Sequence, residues 1–287
     1  MKTIKNLLIA GLVSLCVCPE TIAQDTQEHI SKQFTINPRN TEAVLAIYNV
    51  YGSIKVEGYD GDKVMLEIDK NITAKSSEYL EKGRKEFKFE MEQLGDSILV
   101  YIAAPYDTRP KQKWSRNEDR EPIRYKYELD FVVKVPRNIR LRVSTVNDGD
   151  IQIKNVYGAL FVSNVNGSLD IENAKGVTKA TTVNGTVKVN YLSNPPAASE
   201  YKTINGDITV RYKTDLNADL IFKSMNGSYY TDFDNVAILS SAVEKNTSQR
   251  SDGTLYKIKK DAGVRIGNGG SRFNFETLNG NVYIRKS

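Results

Sequence analysis

The chain has 287 residues, 26% charged and 40% hydrophobic, with a formal net charge of +5 and a mean hydropathy of -0.44. This composition excludes a disordered chain and a polytopic membrane protein. A single histidine, His29, excludes histidine-rich metal sites and confines any Ser/His or Cys/His catalysis to that one residue.

The N-terminus reads as an export leader over 1–23. Lys2 and Lys5 precede the apolar run Leu7 to Val17, and Thr21 and Ala23 supply small residues before Gln24. The run is shorter than the roughly 20 residues that a bilayer span needs. Cleavage after Ala23 leaves 264 of the 287 residues and removes Cys16 and Cys18, so no disulfide framework is expected. It also removes Lys2, Lys5 and Glu20, which takes the charge from +5 to +4, too small and too dispersed to point to nucleic acid. A lipoprotein leader is the competing reading, but Leu15 and Val17 precede the cysteines where a small residue belongs. No later apolar run is long enough for a transmembrane anchor.

Between this leader and residue 136 the chain reads as a β-rich cap with the first coils. Val50-Tyr51-Gly52-Ser53-Ile54-Lys55-Val56 opens it, Val64, Leu66 and Ile68 alternate, and a short helix is expected from Ser77 to about Lys85. Further alternation follows at Phe87, Phe89 and Met91 and at Ile98, Val100 and Ile102, as in hairpins that cover the end of a stack.

A glycine register then dominates, with Gly149, Gly158, Gly167, Gly176 and Gly185 each nine residues apart. Two and four positions after each glycine the residues are mostly aliphatic, as in Ile151 and Ile153 or Leu169 and Ile171, which is the period of a strand with one buried face. Nine residues hold one strand and one bend, so two units make a coil of about 18 residues. One bend recurs at Asn166-Gly167, Asn184-Gly185, Asn205-Gly206, Asn226-Gly227 and Asn279-Gly280, and at Asn147 and Gly149 with one residue inserted. Asn and Gly suit such a bend because both tolerate positive φ. The spacing widens to 21 from Gly185 to Gly206 and from Gly206 to Gly227, with Asn194-Pro195-Pro196 at the first insertion. An antiparallel meander of Asn-Gly hairpins is the competing arrangement. The nine-residue register favours an all-β, parallel β-solenoid over 137–287, continuous with the hairpin-and-helix cap over 24–136.

The leader, the Asn-Val-Tyr-Gly-Ser-Ile start, the Val-Pro at 135–136, the Asn-Gly repeats and the final Leu-Asn-Gly-Asn-Val-Tyr-Ile-Arg together resemble a bacterial "putative adhesin" family of β-strand repeats. The resemblance covers roughly residues 34 to 287. It implies a β-solenoid exported to the periplasm or cell surface and brings no catalytic residues with it.

Chemistry is sparse. Calcium-binding nonapeptides need aspartate two residues after glycine, where this repeat is aliphatic. Asp60-Gly61-Asp62 and Asp148-Gly149-Asp150 offer paired carboxylates at calcium-like spacing, or simply solvated turns. Asp170, Glu172, Asp207, Asp232 and Asp234 could pair as in glycoside hydrolysis. The outward positions Gln152, Phe161, Asp170, Lys179, Lys188, Thr209 and Tyr230, however, form no acidic stripe. Tyr48, Tyr51, Tyr157, Tyr230 and Tyr283 suit sugar stacking and strand formation alike. Residues 105–126 form a long mixed-charge loop, and within it Arg109, Lys111, Lys113, Trp114, Arg116 and Arg120 are candidate contacts for a partner.

The sequence thus points to an exported, non-enzymatic envelope protein that binds a polymer or protein partner, with no cofactor, metal or nucleic acid implied. A polysaccharide lyase or hydrolase on the same scaffold is the alternative. The terminal strand Leu278 to Ile284 is the expected contact for a homo-oligomer, because an uncapped edge invites pairing.

Overall fold

The computed structural model describes residues 24–37, 40–110, 122–239, 244–250, 253–259 and 262–287. The expected leader and residues 111–121 of the charged loop lie outside them. The elements begin with β1 (Gln24–Thr35), β2 (Val44–Tyr48), β3 (Ile54–Tyr59), β4 (Lys63–Ala74), α1 (Ser77–Glu86), β5 (Lys88–Leu94), β6 (Ser97–Ala104) and β7 (Tyr125–Pro136). The repeat region supplies β8 (Arg140–Ser144), β9 (Ile151–Lys154), β10 (Leu160–Ser163), β11 (Leu169–Ala174), β12 (Thr178–Thr181), β13 (Val187–Tyr191), β14 (Glu200–Lys202) and β15 (Ile208–Tyr212). The last are β16 (Ala218–Asn226), β17 (Tyr229–Thr231), β18 (Val236–Leu239), β19 (Glu244–Arg250), β20 (Gly253–Lys259), β21 (Ala262–Ile266), β22 (Ser271–Asn279) and β23 (Val282–Lys286).

The fold is all-β with one helix among the described residues, arranged as two open mixed sheets and a two-stranded ribbon, β19-β20. From β8 to β15 successive strands alternate between the two sheets, and from β10 onward each pairs in parallel with the strand two places earlier. This alternation is not that of an antiparallel meander. It puts every second side chain between the sheets. In one sheet Ile54, Ile151, Leu169, Val187, Ile208 and Val282 form an in-register column, and Val56, Ile153, Ile171, Val189, Val210 and Ile284 form the next. All twelve are at most 2% exposed, and each aliphatic side chain so buried contributes about 1.5–3 kcal/mol.

Beyond Tyr191 aromatic rings fill the core between the sheets. Tyr191 stacks on Tyr212 (5.2 Å), Tyr212 on Phe273 (5.5 Å) and Tyr201 on Phe275 (4.9 Å). The buried hydroxyls bond to one another, Tyr191 to Tyr201 at 2.7 Å and Tyr212 to Tyr201 at 3.1 Å, so none is orphaned in the core.

The N-terminal portion is antiparallel where β1 pairs β4, β4 pairs β7 and β5 pairs β6. Helix α1 starts where Ser76 accepts a bond from the Tyr79 N–H, with Glu78 in its first turn and Arg84 and Lys85 in its last. Gly83 lets it approach β7, since a Cβ there would lie 2.7 Å from the Tyr125 ring. Both sheets continue across residue 136, because β3 pairs β9 in one and β2 pairs β8 in the other.

Two expectations need correction. The strand near Leu278 to Ile284 is no edge. β23 lies between β15 and β17, and β22 between β14 and β16, so the last coil is inserted between two coils that precede it in the chain. The edges of the two large sheets are instead β1 and β17, and β18 and β5. The repeat glycines, moreover, serve close approach more than positive φ. A Cβ on Gly167 would lie 2.3 Å from the Gly149 carbonyl oxygen, and one on Gly185 2.2 Å from that of Gly167. Of the Asn-Gly glycines, Gly206 (φ 155) and Gly280 (φ 159) do carry positive φ, and the left-handed non-glycine residues are Asp148 (φ 58), Asn155 (φ 58) and Asn173 (φ 57). Asp148 is the inserted residue of its bend, and the other two occupy the opposite corner of the coil.

Candidate functional site

The Asn-Gly corners stack into two polar columns. On the outside, Asn166 donates its side-chain amide to Asn147 Oδ1 (2.7 Å), Asn184 to Asn166 (2.7 Å), Asn205 to Asn184 (2.8 Å), Asn279 to Asn205 (2.8 Å) and Asn226 to Asn279 (2.8 Å). On the inside, buried side chains satisfy the glycine carbonyl of the neighbouring coil: Thr145 to Gly52 (2.9 Å), Asn164 to Gly149 (2.9 Å), Thr182 to Gly167 (2.8 Å) and Thr203 to Gly185 (2.9 Å). The glycine permits the contact, the inner hydroxyl or amide closes the hydrogen bond, and the outer asparagine locks the register. Asn147, Gly149, Asn166, Gly167, Asn184, Gly185, Asn205, Gly206, Asn226, Gly227, Asn279 and Gly280 thus all sit at one corner of the stack.

The outward faces carry rows of side chains one strand spacing apart. Opposite charges neighbour each other, as in Lys154–Glu172 (3.1 Å), Lys179–Glu200 (2.8 Å) and Lys202–Glu276 (3.0 Å). Asp170 lies in this field, its carboxyl raised by burial and then by Glu172. Tyr230 and Tyr283 stack at 5.2 Å on the same sheet. Asp60 pairs with Arg137 (2.9 Å), and Asp150 accepts the Ser168 N–H at 2.7 Å. Among the described residues no group of three or more His, Cys, Asp and Glu side chains could hold a metal ion.

Of the six loop candidates only Arg109 lies within the described residues. Its guanidinium forks onto Asp107 (3.1 and 2.6 Å) and lies 4.3 Å from the centre of the Tyr101 ring. That pairing lowers the Asp107 pKa and raises that of Arg109. Thr108 donates to the Tyr48 carbonyl at 2.8 Å, so residues 107–109 are anchored to the fold. Lys111, Lys113, Trp114, Arg116 and Arg120 lie outside the described residues.

A cleft of about 610 Å³ opens between the start of β7 and the first coil corners. It exists because β3 pairs β7 only from Phe131 onward, which leaves the Tyr125 to Glu128 stretch without a strand on that side. Tyr51, Tyr106, Tyr125 and Tyr127 line it, with Asn71, Glu128 and Asp148 among its polar residues. Tyr51 and Tyr127 meet edge to face at 5.4 Å. Burial pushes the Tyr125 hydroxyl up to about 12 and that of Tyr127 higher still. The Glu128 carboxyl is raised by burial, then by Asp130 and Asp148. Sequence reasoning singled out Tyr51 but missed Tyr125, Tyr127 and Asn71, which carry no local motif.

No protein-family model matches the chain, and no curated protein matches its sequence. Solved structures similar to it include bacterial putative adhesins. One is a putative cell adhesion protein from Clostridium sporogenes ATCC 15579, with 10% identity and a TM-score of 0.43 over 91% of this chain and 100% of that one. A putative adhesin from Bacteroides fragilis NCTC 9343 has 13% identity and a TM-score of 0.36 over 91% and 97%. A putative lipid binding protein from Parabacteroides distasonis ATCC 8503 has 12% identity and a TM-score of 0.27 over 90% and 96%.

Proposed function

We propose that the chain is an exported, non-enzymatic protein of the cell envelope, a two-sheet parallel β-solenoid that presents a rigid surface to a polymer or protein partner. The observation that carries this reading is the in-register stacking of the coils. Asparagine, threonine and glycine columns hold six Asn-Gly corners in line, so the outward rows keep a fixed spacing that suits a repetitive partner. The side-chain chemistry agrees, since both ring nitrogens of the chain's one histidine are engaged by carboxylates, Nδ1 by Asp69 and Nε2 by Glu67, which leaves neither free to take a proton from a nucleophile.

The test is protease accessibility of the 105–126 loop on intact and on permeabilised cells. Cutting on intact cells supports surface adhesion or polymer capture. Protection until permeabilisation moves the protein to a periplasmic scaffold role. Replacement of residues 111–121 by a Gly-Ser linker, which spares the Asp107–Arg109 anchor, should weaken partner binding and leave the thermal transition unchanged. Turnover of a polysaccharide, lost on mutating Asp170 or Glu172, would overturn the non-enzymatic reading.

A further inference from the structure

On the outward face of the sheet that holds β9 and β23, the alternation of charge stops toward the β17 edge. Along one row of register partners, Glu57 on β3, Lys154 on β9 and Glu172 on β11 alternate in sign. Further along, Asn190 on β13 faces Arg211 on β15, and Arg211 faces Arg285 on β23. Two arginines thus stand directly opposite each other, an arrangement that destabilises a sheet unless something neutralises it. Arg211 is exposed and Arg285 half-buried, and neither forms an ion pair with a described residue. The carboxylates nearby are engaged elsewhere. Asp232 accepts the Lys286 N–H at 2.7 Å, Asp207 accepts the Asn281 N–H at 2.8 Å, Asp234 pairs with Lys286, and Asp170 faces its register partner Lys188.

The adjoining row adds an aromatic surface. Thr209, Tyr283 and Tyr230 are register partners on β15, β23 and β17. Tyr230 and Tyr283 stack at 5.2 Å with 12° between their planes, and the Arg285 guanidinium lies 5.3 Å from the Tyr283 ring centre. Because β17 is an edge of its sheet, Tyr283 covers one face of Tyr230 and no further strand covers the other. Tyr230 is accordingly 48% exposed. These side chains stand on a rigid base, since Val210, Val282 and Ile284 on the inner side of the same strands are at most 1% exposed. Little ordering is then left for a ligand to impose.

We propose that this end of the sheet binds a uronate-containing polysaccharide, with a sugar carboxylate held by Arg211 and Arg285 and a pyranose ring stacked on the open face of Tyr230. A guanidinium fork matches a planar carboxylate, and an exposed tyrosine face packs on a sugar ring. A neutral sugar would use the tyrosine and leave the arginines uncompensated. A small inorganic anion would neutralise the arginines and leave the ring bare. A single-stranded nucleic acid offers an anion and a stacking base, but its backbone asks for a continuous cationic track, and here Lys188 is already faced by Asp170.

This inference rests on the reading of the chain as a binding protein and names its ligand class, and calorimetry on the whole chain tests the two separately. The probes are a galacturonate tetramer, its methyl ester and a single-stranded thymidine oligonucleotide of equal charge. The acidic tetramer should bind, and the ester, which keeps the rings and loses the charge, should bind about tenfold or more weakly. Arg211→Gln and Arg285→Gln should each lower affinity for the acidic tetramer about tenfold. Tyr230→Leu, at the exposed ring, should weaken it as well. Arg211→Gln should leave the melting temperature unchanged or raise it, because it removes the like-charge contact; an arginine needed only for the fold would lower it.

Equal binding of the ester, equal or tighter binding of the oligonucleotide, unchanged affinity in both arginine variants, or no binding of the acidic tetramer at about 10 mM would each overturn the uronate assignment. If the chain still retains another envelope polymer, only the ligand class falls. If it retains no polymer or protein partner, the binding role falls with it.

Discussion

Asn226 donates its side-chain amide to Asn279 Oδ1 at 2.8 Å, although Asn279 lies 53 residues further along the chain. The same Asn279 donates to Asn205 at 2.8 Å, 74 residues before it. The last coil is thus the link between two coils made earlier in the chain, and it completes the hydrogen-bond column on both sides. Four of its side chains, Phe273, Phe275, Val282 and Ile284, are at most 1% exposed.

Removing residues 271–287 should therefore do more than shorten an end. At about 1.5–3 kcal/mol per buried side chain, the loss from those four approaches the whole stability of an ordinary domain, about 5–15 kcal/mol. Hydrogen exchange should show lost protection at β14, β15 and β16, whose strands flank the missing coil. Retained protection there would mean that β16 and β17 had closed directly onto β14 and β15.

The glycine column predicts a sharp contrast between two alanine substitutions. Gly185→Ala places a Cβ 2.2 Å from a backbone oxygen that is itself held in the stack, and should cost about 3 kcal/mol or more. Gly95→Ala meets nothing within 4 Å and should cost only the strain of left-handed backbone, about 1–2 kcal/mol. Urea denaturation of both variants checks the order.

The two polar columns should differ in the same way. Thr182→Val removes the buried donor to the Gly167 carbonyl, 2.8 Å away, and leaves that oxygen short of a partner at about 1–3 kcal/mol. Asn184→Ala breaks two bonds of the exposed column, but water replaces them, so its cost should stay near 0.5–1 kcal/mol. A larger loss for Asn184→Ala than for Thr182→Val would reverse the assigned roles.

Edge strand β1 should be held more firmly in acid than in base. His29 contacts Asp69 at 2.7 Å and Glu67 at 3.0 Å, and these hydrogen bonds, Asp69 first, raise its pKa above 6.5. A raised folded-state pKa gives a contribution that is complete below the unfolded value, and it fades as pH rises through the folded one. Amide exchange of β1 should speed up from pH 6 to pH 8 beyond its intrinsic base dependence, and His29→Gln should abolish that excess.

The buried tyrosines set the alkaline limit. Burial raises Tyr191, and pushes Tyr201 and Tyr212 well above 10. Because the unfolded chain releases these protons first, stability should be lost as pH rises above 10. Ultraviolet titration should show them ionising together with unfolding. Independent ionisation in a folded protein would show that the cluster is open to water.

Local signals are legible in the sequence: the mostly aliphatic positions two and four after the repeat glycines point inward, and helix α1 begins at Ser77 after its Ser76 cap. Both signals depend on residues a few positions apart, so neighbours in the chain suffice. The nine-residue units looked alike in sequence, yet they form two unlike corners. Asn164 sits buried beneath one corner, while Asn155 and Asn173 adopt left-handed backbone at the other. Which corner a unit makes depends on the coil stacked beside it. The place of the last coil was likewise decided by packing, since pairs separated by 53 and 74 residues leave no local trace. The cleft belongs to the same class. Asn71, Tyr125 and Asp148 come from three segments with no shared motif: the β4–β7 pairing brings the first two together, and Asp148 joins them where β3 leaves β7 unpaired before Phe131.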